Sequence, residues 1–395
     1  MQSSRASTDR ERRGAVRFVL SADWQLGMTR HFLAGEAQAR YAQARVDAIR
    51  TIGRLAAESD ALFVGVCGDV FETNRVDPRT VGRTLEALAE VPVPVFLLPG
   101  NHDPLDAASV FRSPTFVRGK PDNVTVLDDM EPREVCSGVE VIGAPWTSKR
   151  PLHDLVAEVC DGLEPSVGTT RVLLAHGATN EMPAFDNPAV IDVARAEQAI
   201  ADRRISFVGL GDRHSTTEVG SSGRIWYPGA PEPTDYDEID PGNALLVEIP
   251  ADGPVDVISH PVGTWTFVHK SFSLDGPADL DDLESWLASR PAKDRTIVKL
   301  ALDGTISLTS HARLREMLDR NRAIYAAIEE HERRSDLVVR PDDDDFEDLQ
   351  LSGFASEAVD ALRDAAGGAG DEAETARDAL GLLVRYAAAG GGDDA

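Results

Sequence analysis

Five apolar, β-branched runs, each closing on a small set of polar side chains, constrain this chain more than any other feature. Residues 16–20, 61–66, 93–98, 171–175 and 205–210 read as buried strands bounded by turn residues. They end on Asp23-Trp24-Gln25, Gly68-Asp69, Gly100-Asn101-His102-Asp103, His176-Gly177 and Gly211-Asp212-Arg213-His214. An open α/β sheet gathers functional groups just beyond the carboxyl ends of its strands. One rim therefore receives carboxylates, an amide and imidazoles, a donor set that describes a metal site better than anything else.

The stretches between the strands fit that reading. Residues 36–58 carry Tyr41, Ala44, Ala48, Ile49, Ile52 and Leu55 at helical spacing, and residues 80–90 read as a second crossover helix. Short strands are expected at 124–127, 134–136 and 139–143, and helices at 152–160 and 195–203. Beyond Gly263 the pattern changes. A strand at 265–274, a helix at 280–289, a strand at 296–302 and a helix at 310–319 suggest a small α+β unit. The expected organisation is a polar tail over 1–14, a catalytic domain over 15–262 and a cap over 263–340. An acidic linker over 341–350 and C-terminal helices with a flexible tail over 351–395 complete it.

At 395 residues two or three units are the prior. The formal charge of −27 is the unusual quantity, and only five of the 40 basic residues are lysine. Such a coat weighs against loose, sequence-independent DNA binding while leaving room for a local basic groove. Three cysteines at 67, 136 and 160 form no CxxC pair, so neither a disulfide framework nor a zinc knuckle is implied. The first fourteen residues lack an apolar core, and no run is long enough to span a bilayer. A reducing cytoplasm is the expected compartment, with no membrane association.

Two divalent cations held close together can activate a water and steady both oxygens of a phosphoryl displacement. Asp69 suits the carboxylate that bridges them, and Asp23 a terminal ligand. Asn101 can bind through its carbonyl, His102 beside it suits protonation of the leaving oxygen, and His176, Asp212 and His214 complete two shells. On these motifs the chain resembles the calcineurin-like metallophosphoesterases, and among them the SbcD/Mre11 DNA-repair exonuclease group. The stretch Trp226-Tyr227-Pro228-Gly229-Ala230-Pro231-Glu232, followed by Asp235-Tyr236-Asp237-Glu238, resembles the nuclease subgroup's extension after its last ligand. The resemblance implies a four-layer αββα sandwich. It also implies one metal on Asp23, Gln25, Asp69 and His214, the other on Asp69, Asn101, His176 and Asp212, and His102 as the catalytic histidine. DNA as substrate, an SbcC/Rad50-like coiled-coil ATPase docked on the C-terminal helices, and a homodimer follow from it as expectations.

Two positions depart from the family pattern. Gln25 stands where its first motif ends in His, and Asp212 where its last motif begins with His. Both substitutes ligate through oxygen, so the harder site favours Mn²⁺, or Mg²⁺, over Zn²⁺. His31, Arg75 and Arg213 are the candidate substrate contacts near the rim. Beside the nuclease stand two other readings: a phosphoesterase on nucleotides or small phosphodiesters, and a non-catalytic metal-binding scaffold. The apolar stripes of the C-terminal helices leave open whether they dock on the cap or on a partner.

Overall fold

The structure, a computed structural model, describes residues 14–181, 188–331, 333–339, 354–368 and 370–390. The expected N-terminal tail up to residue 13, the acidic linker and the glycine-rich end lie outside the described residues. The chain divides into two compact units, residues 1–31 with 38–265, and residues 32–37 with 266–395.

In the larger unit, β1 (Val16–Ser21), β2 (Val64–Val66), β3 (Val95–Leu97) and β4 (Val124–Val126) run parallel. Strand β11 (Asn243–Ile249) pairs antiparallel with β1, and β12 (Asp256–Pro261) with β11, giving the order β12-β11-β1-β2-β3-β4. The second sheet has the order β5-β6-β7-β8-β10-β9. Its strands are β5 (Arg133–Cys136), β6 (Val139–Gly143), β7 (Thr170–His176), β8 (Phe207–Gly211), β9 (Thr217–Val219) and β10 (Ile225–Tyr227).

The period-two alternation of the strands builds the layers. Phe18 and Leu20 of β1, Phe96 of β3, Val172 and Leu174 of β7 and Phe207 of β8 share one core between the sheets. Val19, Val64, Val66 and Val95 point the other way. They meet α1 (Ala37–Glu58), α2 (Pro78–Ala89) and α3 (Pro114–Gly119) through residues such as Ile49, Leu85 and Phe116. On the far side Leu173, Ala175 and Val208 meet Val156 and Val159 of α4 (Leu155–Gly162) and Ala196 of α5 (Val193–Ala201). The result is an αββα sandwich.

Helix starts shift from the periodicity-based expectation because short polar side chains set them. Asp77 accepts from the Arg79 and Thr80 amides ahead of Pro78, so α2 begins two residues early. Asp154 and Asp192 likewise cap α4 and α5.

The smaller unit alternates β13 (Thr266–Leu274), α6 (Pro277–Ser289), β14 (Thr296–Ile306), α7 (Leu308–Arg322), β15 (Ala327–Glu330) and β16 (Asp336–Val339). All its pairings are parallel, so it is α/β in character where the sequence suggested α+β. Each of α6 and α7 returns the chain across the sheet, the connection parallel strands require. Then α9 (Asp371–Gly390) packs on α7 and α8 (Phe354–Ala366) on α9, with Val359, Ala366, Ala376 and Leu380 sharing one core with Leu308 and Ala312. Among the described residues, no helix is long and apolar enough to cross a membrane.

Candidate metal centre

Four of the rim side chains stand on backbone that residues with a Cβ avoid. The φ angle is +53° at Asp23, +43° at Gln25, +52° at Asp69 and +95° at Asp212. Such positions persist where their surroundings over-determine them, and they cluster at functional sites. Here the constraint is a ladder continued past the strand ends. Asp23 N donates to the Gly68 carbonyl (3.1 Å), Gln25 N to the Asp69 carbonyl (2.8 Å) and Leu26 N to the Val70 carbonyl (2.9 Å). The glycines of the motifs answer to close approach. A Cβ on Gly68 would lie 2.3 Å from His176 Nδ1, and one on Gly100 2.2 Å from Asp69 Oδ1.

Asp23, Asp69 and His176 are buried, with one ligand atom from each lying within 4.8 Å of the others. His176 Nε2 is 2.6 Å from Asn101 Oδ1, 3.5 Å from Asp69 Oδ2 and 3.9 Å from Asp212 Oδ1. Its Nδ1–H donates to the Cys67 carbonyl at 2.8 Å, which aims Nε2 into the cluster. Opposite, Gln25 Nε2 is 3.3 Å from His214 Nε2. His214 Nδ1 faces Thr234 Oγ1 (2.6 Å) and Glu238 Oε1 (3.0 Å), so again Nε2 points inward. Asn101, His176 and Asp212 thus lie together on one side, and Gln25 and His214 on the other. Asp23 and Asp69 stand on the paired β1 and β2 ends between them.

His102 differs from the candidate ligands. Its amide donates to Asp69 Oδ1 (2.9 Å) and its Nδ1 lies 2.9 Å from the Glu72 carbonyl, leaving Nε2 3.9 Å from Asp69 Oδ2. The side chain is 36% exposed, so it can meet a substrate from the rim. Arg213 Nε donates to Thr217 Oγ1 (2.8 Å), while His31 and Arg75 are exposed.

Several contributors were not legible in the sequence. The Cys67 and Glu72 carbonyls fix imidazole orientation, and a backbone carbonyl leaves no residue signature. Trp146 donates from Nε1 to the His176 carbonyl (2.7 Å). Asp103 is fully buried and accepts from the Gly100 amide (2.8 Å) and the Phe71 amide (2.9 Å), tying the β3 loop to the β2 loop. Its place in the Gly-Asn-His-Asp string was the available signal. Thr234 and Glu238 lie in the segment that resembles the nuclease extension.

Electrostatics match a site built for cations. Burial pushes the Asp23 carboxyl up to about 6, only partly offset by His214 and His176. Burial alone would lower His176, but Asp69, Asp23 and Asp212 outweigh it and lift the imidazole to about 9. Burial also raises Asp103, to about 7, with Asp69 adding to it. A metal test therefore has a definite answer. The buried Gln25 Oε1 has no hydrogen-bond partner among the described residues, and His176 Nε2 and Asn101 Oδ1 meet beside the Asp23 and Asp69 carboxylates. An orphaned amide oxygen beside two buried carboxylates fits divalent cations with hard ligands.

Fold and site together define a metal-dependent phosphoester hydrolase. The profile of the calcineurin-like phosphoesterases matches residues 16–247, more than half of the chain, and the chain belongs to that family. It is 29% identical over 213 residues to the DNA double-strand break repair protein Mre11 of Archaeoglobus fulgidus, covering 48% of this chain and 45% of that protein. The chain thus spans about half the length of this curated relative. Solved structures similar to it include TT1561 of Thermus thermophilus (10% identity, 63% of this chain and 99% of that one, TM-score 0.38). Another is purple acid phosphatase PPD1 from yellow lupin seeds (12% identity, 63% and 54%, TM-score 0.35). A dimetal phosphatase from Danio rerio is similar at 11% identity, over 62% and 99%, with a TM-score of 0.36.

Proposed function

We propose that this chain is a Mn²⁺-dependent DNA nuclease of the SbcD/Mre11 group, cleaving phosphodiesters in DNA repair. The observation that carries the reading is the segment after the last ligand motif. It resembles the nuclease extension, and through Thr234 and Glu238 it returns to support His214. The similarity to Mre11 over 213 residues points the same way.

When bound, the two cations supply an activated water and charge neutralisation at the phosphate. The chain's own residues do the rest. Asp69 holds the His102 amide, the Glu72 carbonyl fixes the His102 ring, and Nε2 of His102 is left to give a proton to the leaving oxygen. A partner ATPase of the SbcC/Rad50 type belongs to the same proposal. Helix α9 already buries one face on α7 and α8, so a partner would meet an outer face, where Leu382 is 49% exposed.

The charge of −27 favours the second reading, a small-phosphodiester hydrolase. End-labelled linear DNA and bis(p-nitrophenyl) phosphate, each incubated with the Mn²⁺-loaded protein, separate the two. Shortening of the DNA is expected. Hydrolysis of the chromogenic diester alone would overturn the nuclease, and silence on both would leave only the scaffold.

A further inference from the structure

Arg45 of α1 is 1% exposed, and no carboxylate of the described residues lies within 4.0 Å of its guanidinium. The buried Glu232 carboxylate acts on it from longer range; with no counter-ion in contact, its donors must be satisfied otherwise, so their direction is informative. Nη1 donates to the Trp24 carbonyl at 2.9 Å. Nη2 donates to Tyr41 Oη at 2.5 Å and to the Pro233 carbonyl at 3.2 Å. The guanidinium also lies over the Tyr41 ring, 4.7 Å from its centre, and Tyr41 Oη itself donates to the Pro233 carbonyl at 2.6 Å.

Both ends of this clamp touch the metal centre. Trp24 separates Asp23 and Gln25, the two residues of the first motif held at positive φ. Pro233 precedes Thr234, whose hydroxyl is 2.6 Å from His214 Nδ1. The Asn101–His176 half is held differently, by the Cys67 carbonyl, Trp146 Nε1 and Asp103. We propose that Arg45, with Tyr41, is a positioning residue that locks the Asp23-Trp24-Gln25 turn to the 232–234 segment behind His214. The Gln25–His214 half of the centre depends on this clamp, and the Asn101–His176 half does not. The fork is what matters: one planar group reaches two carbonyls in different loops, which a lysine ammonium cannot do with the same directionality.

The inference rests on the two-cation centre and not on the identity of the phosphodiester. Mn²⁺ is titrated calorimetrically into the metal-free full chain, and the paired-ion signal is followed by electron paramagnetic resonance. Wild type should bind two ions. Arg45→Lys should weaken one binding step by roughly 10–100-fold, the range for a lost outer-shell support, and leave the other unchanged. The paired-ion signal should then appear only at higher Mn²⁺. Unchanged binding, or equal weakening of both steps, would overturn the clamp. Should Arg45→Lys fail to fold, Tyr41→Phe decides: selective weakening of one step supports the clamp and wild-type binding refutes it. A wild type that binds fewer than two ions would remove the centre and this inference with it.

Discussion

At the scale of single residues, the division of labour between Asp69 and His102 is the sharpest claim the site makes. Asp69 stands on left-handed backbone between the two ligand groups, and one of its oxygens receives the His102 amide. Asp69→Ala should therefore strip both cations, and elemental analysis of the purified variant should find less than one Mn²⁺ per chain. Retention of two ions would show that Asp69 bridges nothing. His102 is anchored by a backbone carbonyl at Nδ1 and its side chain is 36% exposed, whereas the His176 side chain is fully buried among the carboxylates. His102→Ala should keep both cations and the wild-type melting temperature while turnover of a small diester falls by roughly 10²–10⁴-fold, the usual worth of general-acid help. Parallel loss of metal and activity would make it a ligand instead.

At the scale of elements, α9 offers the clearest test of what the C-terminal helices are for. Leu380 is fully buried against the Leu308 end of α7. Truncating a buried leucine typically removes about 2–5 kcal/mol. Leu380→Ala should raise amide exchange in α7, α8 and α9 while β1–β4 keep their protection. Exchange that stays unchanged throughout would mean the packing of α9 contributes little, leaving its face available for another chain. The helices themselves were legible, because Ala358 and Leu362, or Ala376 and Leu380, recur at helical spacing. The catalytic strands were legible for a related reason: each alternates around a buried face and stops on a polar pair. Strands β11 and β12 were not read, since nothing in their local pattern reveals that they return antiparallel to β1. The metal ligands were visible as side chains at strand ends. Their supports were not, because the Cys67 and Glu72 carbonyls and the distant Arg45 become neighbours only through the fold.

At the scale of the whole molecule, an acidic chain holding a buried carboxylate cluster should depend on its cations more as the solution becomes more alkaline. Metal-free, Asp23 titrates near 6 against an ordinary 3.8, so the folded state favours its protonated form. The stability this group contributes is present below about pH 4 and is lost as pH rises through 6. His176 titrates near 9 against 6.5, so the folded state favours its charged form. Its contribution is complete below about 6.5 and disappears as pH rises through 9. Both terms make the metal-free protein less stable from pH 4 to 9, and self-repulsion among the charges behind the net −27 acts in the same direction. Cation binding requires these groups deprotonated and stabilises only the folded state, so its effect grows over the same interval. Melting curves with and without saturating Mn²⁺ at pH 5.5, 7 and 8.5 should give an increment that widens with pH. High salt screens the surface repulsion and should raise the metal-free curve without removing the increment. Asp69→Ala should abolish the increment at every pH. An increment that is flat or shrinks with pH, or one that survives in Asp69→Ala, would place the stabilising cations elsewhere than on Asp23, Asp69 and His176.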